Sequence, residues 1–359
     1  MKIGIIGLPG VGKTTLFNAL TRSSIATGTR SSDTNIATIK VPDERIDFLS
    51  QMYKPKKTSY ANVEFVDIAG VIPGTASAGD NSGGNLLNNA KTVDVICQVV
   101  RVFDENGDMF DELIDIVRDV KKINDELLLS DLALIENRLS RMNLKKKTNT
   151  TEIEEKLLEK MKIHLEAEKM LYTFEMTKDE EALISGYKFL SLKRQLIVLN
   201  IEEKLINTDL KAKYKEAVEY IEKLGVLYLP ISAKIEMEIS QLEGDDEKMF
   251  LAENNLKEPG RNFLIRKAYE TLGNISFFTA GEDEVKAWTI VKGNSAHDAA
   301  GKIHSDIQRG FIRAEVVSYQ DFMACKGTVE DAKAQGKMRL EQKPYVVHDG
   351  DIINFRFNA

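Results

Sequence analysis

What most constrains this chain is the stretch Gly7-Leu8-Pro9-Gly10-Val11-Gly12-Lys13-Thr14. An apolar strand, Lys2–Gly7, runs into it and a helix, Thr15–Leu20, leaves it. The pattern is G-x-x-x-x-G-K-[ST], in which backbone N–H groups converge on a phosphate chain. Convergence needs a loop free of obstructing side chains, which Gly7, Gly10 and Gly12 provide. The helix that follows turns its positive end to the same place. At average residue usage this register arises by chance in roughly one chain of this length per hundred. Its strand-to-helix setting makes chance rarer still. The phosphate cradle is therefore read as Gly10, Val11, Gly12, Lys13, Thr14 and Thr15. Lys13 is expected to reach the β- and γ-phosphates as the catalytic cation, and the Thr14 hydroxyl to ligate Mg²⁺.

A second motif follows. Val63–Asp67 (VEFVD) is an apolar, β-branched run that ends in a carboxylate, and it continues as Asp67-Ile68-Ala69-Gly70. An aspartate at a strand's carboxyl end is placed to hold the water shell of Mg²⁺, and the Gly70 N–H to meet the γ-phosphate. D-x-x-G alone is nearly worthless as a signal; behind a phosphate loop and after VEFV it is strong. Between the two motifs, Ser23–Asp33 is rich in Ser, Thr and Gly and has no period, which suits a first switch. Thr29, Ser31, Ser32 and Thr34 all offer hydroxyls to the metal there. Pro73–Asn85 is too glycine-rich for a fixed element and reads as a second switch. Ras-type proteins place a water-orienting glutamine directly after D-x-x-G. Here that position is Val71, so hydrolysis must use another group or be slow.

The base-recognition segments come later. The strand Gln195–Leu199 ends at Asn200-Ile201-Glu202-Glu203, and Val226–Pro230 leads into Ser232-Ala233-Lys234. Guanine-specific proteins carry N-K-x-D at the first of these. Ile201 replaces the lysine and Glu203 the aspartate, and one extra methylene shifts the carboxylate by about 1.5 Å. Hydrogen-bond geometry is narrow, so guanine selectivity should weaken. Asn200 is left to meet a purine N7 or the adenine amine, with Ser232, Ala233 and Lys234 lining the base.

The remaining chain divides into a helical and a β-rich part. Leu128, Leu132, Ile135, Leu139 and Met142 alternate spacings of four and three, and Leu158, Met161 and Leu165 share a face beyond a polar turn. Together they predict an antiparallel hairpin inserted into the nucleotide domain. Lys145, Lys146 and Lys147 at its tip read as a solvated turn, with RNA phosphates as the alternative. From Ile275 on, short strands around one helix, Ala296–His304, suit a small β-grasp module with Trp288 in its core.

Length and composition narrow the class further. The 359 residues allow two or three domains, and a formal charge of -7 argues against an overall basic nucleic-acid binder. Cys97 and Cys325 suggest neither a disulfide framework nor a metal cluster, and four scattered histidines lack ligand spacing. No apolar run is long enough to span a bilayer, and no signal peptide is expected before the first strand. A soluble, cytoplasmic monomer without specific DNA binding is expected.

From end to end the chain resembles the YchF/Obg-like ATPase family. The stretches that carry the likeness are GLPGVGKTTLFNALT (7–21), VPDERIDFL (41–49), KPKK (54–57), EFVDIAG (64–70), INDELLLSDL (123–132), FFTAGEDEVKAWTI (277–290), GKIHSDIQRGFIRAEV (301–316) and HDGDIINFRF (348–357). The resemblance implies an α/β protein: a P-loop NTPase domain with a mostly parallel sheet (1–118 and 194–274), an inserted helical coiled-coil domain (119–193) and a C-terminal TGS domain (275–359). It also implies ATP in preference to GTP, and association with the ribosome. Three departures stand out. Gly10 replaces an asparagine that helps to hold potassium, which counts against potassium stimulation. Gln98 stands where the family often has a histidine proposed to assist hydrolysis; it can orient water but cannot serve as a base. The first switch lacks the family's T-I-E-P-N, so Ser31 is the nearest placement for its metal-binding hydroxyl.

Overall fold

The computed structural model describes residues 1–23, 35–68, 87–104, 113–142 and 149–358. They form two compact units, Met1–Ile39 with Glu64–Leu264, and Lys40–Val63 with Ile265–Ala359.

In the first unit one six-stranded sheet runs in the order β2-β4-β1-β5-β6-β7. Its strands are β1 (Lys2–Ile6), β2 (Asn35–Lys40), β4 (Asn62–Asp67), β5 (Val95–Val102), β6 (Arg194–Ile201) and β7 (Leu227–Ile231); β3 (Lys57–Ser59) belongs to the other unit. β1 pairs in parallel with β4 and β5, β5 with β6, and β6 with β7. Every residue of β5 is buried, as a parallel strand covered on both faces requires. Because β1, β4, β5, β6 and β7 run parallel, their carboxyl ends gather along one edge: the phosphate loop after β1, Asp67 at the end of β4, Asn200 near the end of β6 and Ser232 after β7. The registers Ile5↔Asp67 and Asn200↔Ile231 set them level. In open α/β sheets this edge is where ligands bind.

The helices Ile116–Met142 and Asn149–Glu166 pack along the seam that the periodicity predicts. Leu128, Ile135 and Met142 are buried with Leu158, Met161 and Leu165, while Leu132 and Leu139 are partly buried beside them. Ion pairs join these helices, among them Arg138 to Glu154 at 3.0 Å and Lys162 to Glu136 at 2.7 Å. Asp131 fastens the longer helix to the chain that returns from the insertion. Its carboxylate accepts the Leu190 and Ser191 amides at 2.9 and 2.7 Å and the Ser191 hydroxyl at 2.6 Å.

The second unit holds a mixed sheet in the order β11-β10-β12-β8-β9-β3. It comprises β8 (Asn274–Ala280), β9 (Glu284–Val291), β10 (Phe311–Ser318), β11 (Arg339–Glu341) and β12 (Asp351–Phe357), with β3 lying parallel to β9. One face buries Phe277, Val316 and Ile353 with the helix Ala296–Ile303. The helix Glu44–Tyr53 packs on β8 and β9. It begins where the Asp43 side chain accepts the Arg45 amide at 3.0 Å. The Arg45 guanidinium lies 5.1 Å from the Phe278 ring and bonds Asp349 at 2.7 Å. Phe48 meets Tyr319 edge-on and Tyr53 stacks on Phe322.

Between β2 and β4, residues 41–61 thus fold with the C-terminal unit, although the sequence reading counts them in the nucleotide domain. Trp288 is half-buried at the margin of the C-terminal core, where its indole N–H reaches Thr279 Oγ1 at 3.0 Å. Tyr345–Val347 contributes an isolated bridge between Val346 and Ser295.

Candidate nucleotide-binding site

The loop after β1 needs glycine for two reasons. Gly7 and Gly12 sit at φ 156° and 91°, where side chains are strained. Space is also lacking: a Cβ on Gly7 would stand 2.5 Å from the Val99 carbonyl oxygen, and one on Gly12 2.3 Å from Asn200 Nδ2. The following helix, Lys13–Thr21, opens directly on Gly12, with the Leu16 amide bonded to the Gly12 carbonyl at 2.9 Å.

Lys13 is buried, and its ammonium donates back across the loop to the Leu8 carbonyl at 2.7 Å. Burial brings its pKa down to about 8, while the Asp67 carboxylate pulls the other way. Thr14 Oγ1 donates to Asp67 Oδ2 at 3.1 Å. Burial raises the Asp67 pKa against the opposing pull of the Thr14 hydroxyl, of Lys13 and of a hydrogen bond from Asn35. Asn35, the first residue of β2, is a member of the site that the sequence reading missed; its one local signal is a polar residue opening a strand.

A hydroxyl and a carboxylate one hydrogen bond apart, beside an ammonium, form a hard-oxygen donor set. Mg²⁺ suits such a set, since it takes one or two carboxylates and fills its octahedron with phosphate and water oxygens. Among the described residues no cluster of three or more His, Cys, Asp or Glu forms an alternative metal cage. Thr14 and Asp67, apart in sequence, are brought together as expected. Ser31, Gly70 and Val71 lie outside the described residues, as do Thr29, Ser32 and Thr34, both switch segments after Ser23, and the three lysines of the hairpin turn.

On the base side, the Asn200 side chain is committed to the protein. It is buried, its Nδ2 donates to the Val11 carbonyl at 2.9 Å, and its Oδ1 accepts the Ala233 amide at 3.0 Å. Asn200 therefore pins the phosphate loop to the Ser232–Lys234 loop, where the sequence reading had it facing the purine. Gly12 was the available clue, because only a residue without Cβ leaves room for that amide. Ser232 caps the helix Ala233–Ser240 and Ala233 is buried, while Lys234 is exposed. Ile201 is buried in the sheet, and Glu203 opens to solvent in a cavity of about 550 Å³ shared with Glu202, Asn207 and Glu253.

Gln98 is a correction. It is fully buried on β5, and its amide nitrogen points at the Asp119 and Val120 carbonyls over 3.4 and 3.5 Å. Among the described residues its Oε1 has no hydrogen-bond partner. A central strand covered on both faces gives this side chain no access to solvent, so in this arrangement it orients no water.

The comparisons agree with this geometry. A family model described as a 50S ribosome-binding GTPase matches residues 2–138, and the YchF-GTPase_C model, described as a protein of unknown function (DUF933), matches residues 274–358. The chain is 41% identical over 363 residues to the "Ribosome-binding ATPase YchF" of Bacillus subtilis, covering 99% of each chain. It is 39% identical over 365 residues to the protein of that name from Escherichia coli O157:H7, covering 100% of this chain and 99% of the relative. Among solved structures, the YchF GTPase of Schizosaccharomyces pombe superposes with a TM-score of 0.83 at 31% identity, over 99% of this chain and 97% of that one. With likeness of this degree running the length of both units, the chain belongs to the YchF family.

Proposed function

We propose that this chain is a ribosome-associated nucleoside triphosphatase. It binds and hydrolyses ATP, and GTP less well, with Mg²⁺, and acts as a nucleotide-dependent switch in translation or the stress response. The observation that carries this reading is the assembly of Lys13, Thr14 and Asp67 behind a loop that Asn200 ties to the base side. The names printed for the Bacillus and Escherichia relatives support the ribosome, its large subunit or rRNA, as the partner. The extra methylene of Glu203 supports adenine over guanine. We read the nucleotide domain as 1–118 and 194–274, apart from the excursion 41–61 that folds with the C-terminal unit, the inserted coiled-coil hairpin as 119–193 and the TGS domain as 275–359, in a cytoplasmic monomer.

In this reading the loop amides and the Lys13 ammonium bind the charge of the triphosphate, and Lys13 exchanges the Leu8 carbonyl for phosphate oxygen. Thr14 and Asp67 would hold Mg²⁺, which when bound offsets negative charge on the β- and γ-phosphates. Gly70 is assigned to the γ-phosphate and Ser31 to the metal. Single-turnover hydrolysis of ATP and GTP, with and without ribosomes and potassium, tests the proposal. Phosphate release above the uncatalysed rate is expected, and release at that rate under every condition sinks the enzymatic part.

One observation favours a second reading, a nucleotide-gated ribosome-binding module with negligible intrinsic hydrolysis. Gln98 is turned into the protein, and the side chain of Val71 carries no hydrogen-bonding group, so neither side chain positions an attacking water. Tight binding of both nucleotides without turnover in the same experiment selects it.

A further inference from the structure

The helix that opens on Ser232-Ala233-Lys234 is held from behind. Its first amide, Ala233 N–H, bonds Asn200, so the base side of the site moves with this helix. Glu236, three residues on, is 3% exposed, and its carboxylate accepts the amides of Gly260 at 2.7 Å and Arg261 at 3.1 Å. Those amides begin the helix Gly260–Thr271, so one buried anion joins the starts of two helices. A Cβ on Gly260 would stand 2.9 Å from Glu236 Oε1 and 3.6 Å from Ile231 Cγ1, at the end of β7.

An ionic chain leads from this point to the far, C-terminal end of the helix that follows the phosphate loop. The Arg261 guanidinium is buried, its Nη1 without a hydrogen-bond partner among the described residues, and its Nη2 stands 3.5 Å from Glu247 Oε2. The same oxygen takes Arg22 Nη2 at 3.1 Å, and Arg22 caps the phosphate-loop helix. A surface hydroxyl or carboxylate suffices to cap a helix, as at Asp209, where burial costs nothing. Burying a carboxylate is far more costly and needs a compensating geometric purpose.

We propose that Glu236 is a positioning residue for purine recognition. By holding Ala233–Ser240 against the start of the Gly260 helix, it fixes the register of the Ser232–Lys234 loop and so tunes the choice between ATP and GTP. The proposal rests on the nucleotide reading above.

The test compares Glu236→Gln, Gly260→Ala and Asp209→Ala with the unmodified full-length chain, in KM and kcat for both nucleotides, or in Kd by calorimetry where turnover is slow. Glu236→Gln turns an NH₂ group toward one of the two amides. It should raise KM for ATP about fivefold or more and shift the ATP/GTP ratio of kcat/KM by a similar factor, with kcat unchanged within about twofold. Gly260→Ala drives a methyl group onto the same carboxylate and should move the ratio in the same direction, which keeps the question answerable should the glutamine variant fail to fold. Asp209→Ala removes a solvent-exposed cap, whose carboxylate accepts the Lys211 and Ala212 amides, and should lower Tm with the ratio unmoved. If the unmodified chain binds both nucleotides and the Glu236 and Gly260 variants keep its ratio within about twofold, the proposal is overturned alone. A chain that ignores both nucleotides overturns the nucleotide reading, and this proposal with it.

Discussion

Lys13 shows how a single residue sets the working range of the site. Its pKa, held near 8 by burial, lies below that of the same side chain in an unfolded chain. Between those two values the unfolded state binds more protons, so the stability of the ligand-free protein should rise with pH across that window as the buried charge is relieved. Nucleotide binding has the opposite sign, because a polyanion prefers the ammonium. Affinity for Mg·ATP should therefore fall about tenfold per pH unit above 8. Calorimetry in buffers of different ionisation enthalpy should detect proton uptake on binding near that pH, and Lys13→Ala should abolish both the uptake and the binding. Asn200→Ala makes a different prediction. It strands the Val11 carbonyl and the Ala233 amide at a cost of about 1–3 kcal/mol, weakening both ATP and GTP. A loss confined to one nucleotide would mean that Asn200 reads the base directly.

Among the elements, the inserted helices and the clasp at their root carry the clearest prediction. Asp131→Asn replaces one of two acceptors by a donor facing the Leu190 and Ser191 donors, and should cost about 1–3 kcal/mol, read as a lower Tm, with nucleotide affinity unchanged. These helices were legible in the sequence because their seam is local: spacings of three and four need no knowledge of the rest of the chain. The phosphate loop, VEFVD and the apolar run of β5 were legible for the same reason. Legibility failed where the partner lies far along the chain. β3 is three residues long, and its pairing with β9, Lys57 to Glu284, spans most of the sequence. The roles of Asn200 and Gln98 failed likewise, since each depends on which face of a strand meets which neighbour. Glu203 and Asn200 are motif neighbours, yet one is exposed and the other buried, a difference that spacing alone does not encode.

For the whole molecule, the boundary of the C-terminal unit decides what can be cut from it. Phe278, Val285 and Phe322 are fully buried in the unit that includes Lys40–Val63, and the helix Glu44–Tyr53 packs on the strands that carry the first two. Exposing large apolar side chains of this kind costs about 1.5–3 kcal/mol each. A fragment of residues 275–359 is therefore expected to bind a hydrophobic dye and to lack a cooperative melt. A sharp thermal transition in that fragment would show that residues 40–63 are dispensable to it. The same arrangement imposes an order on biosynthesis. Ile46 and Leu49 are made early, but the strands against which their helix packs are translated only after Leu264. At about 5–20 residues per second, the N-terminal portion must keep an apolar helix unpaired for roughly ten seconds to a minute while the intervening chain is synthesised. During that interval the nascent polypeptide is a natural client for a holding chaperone.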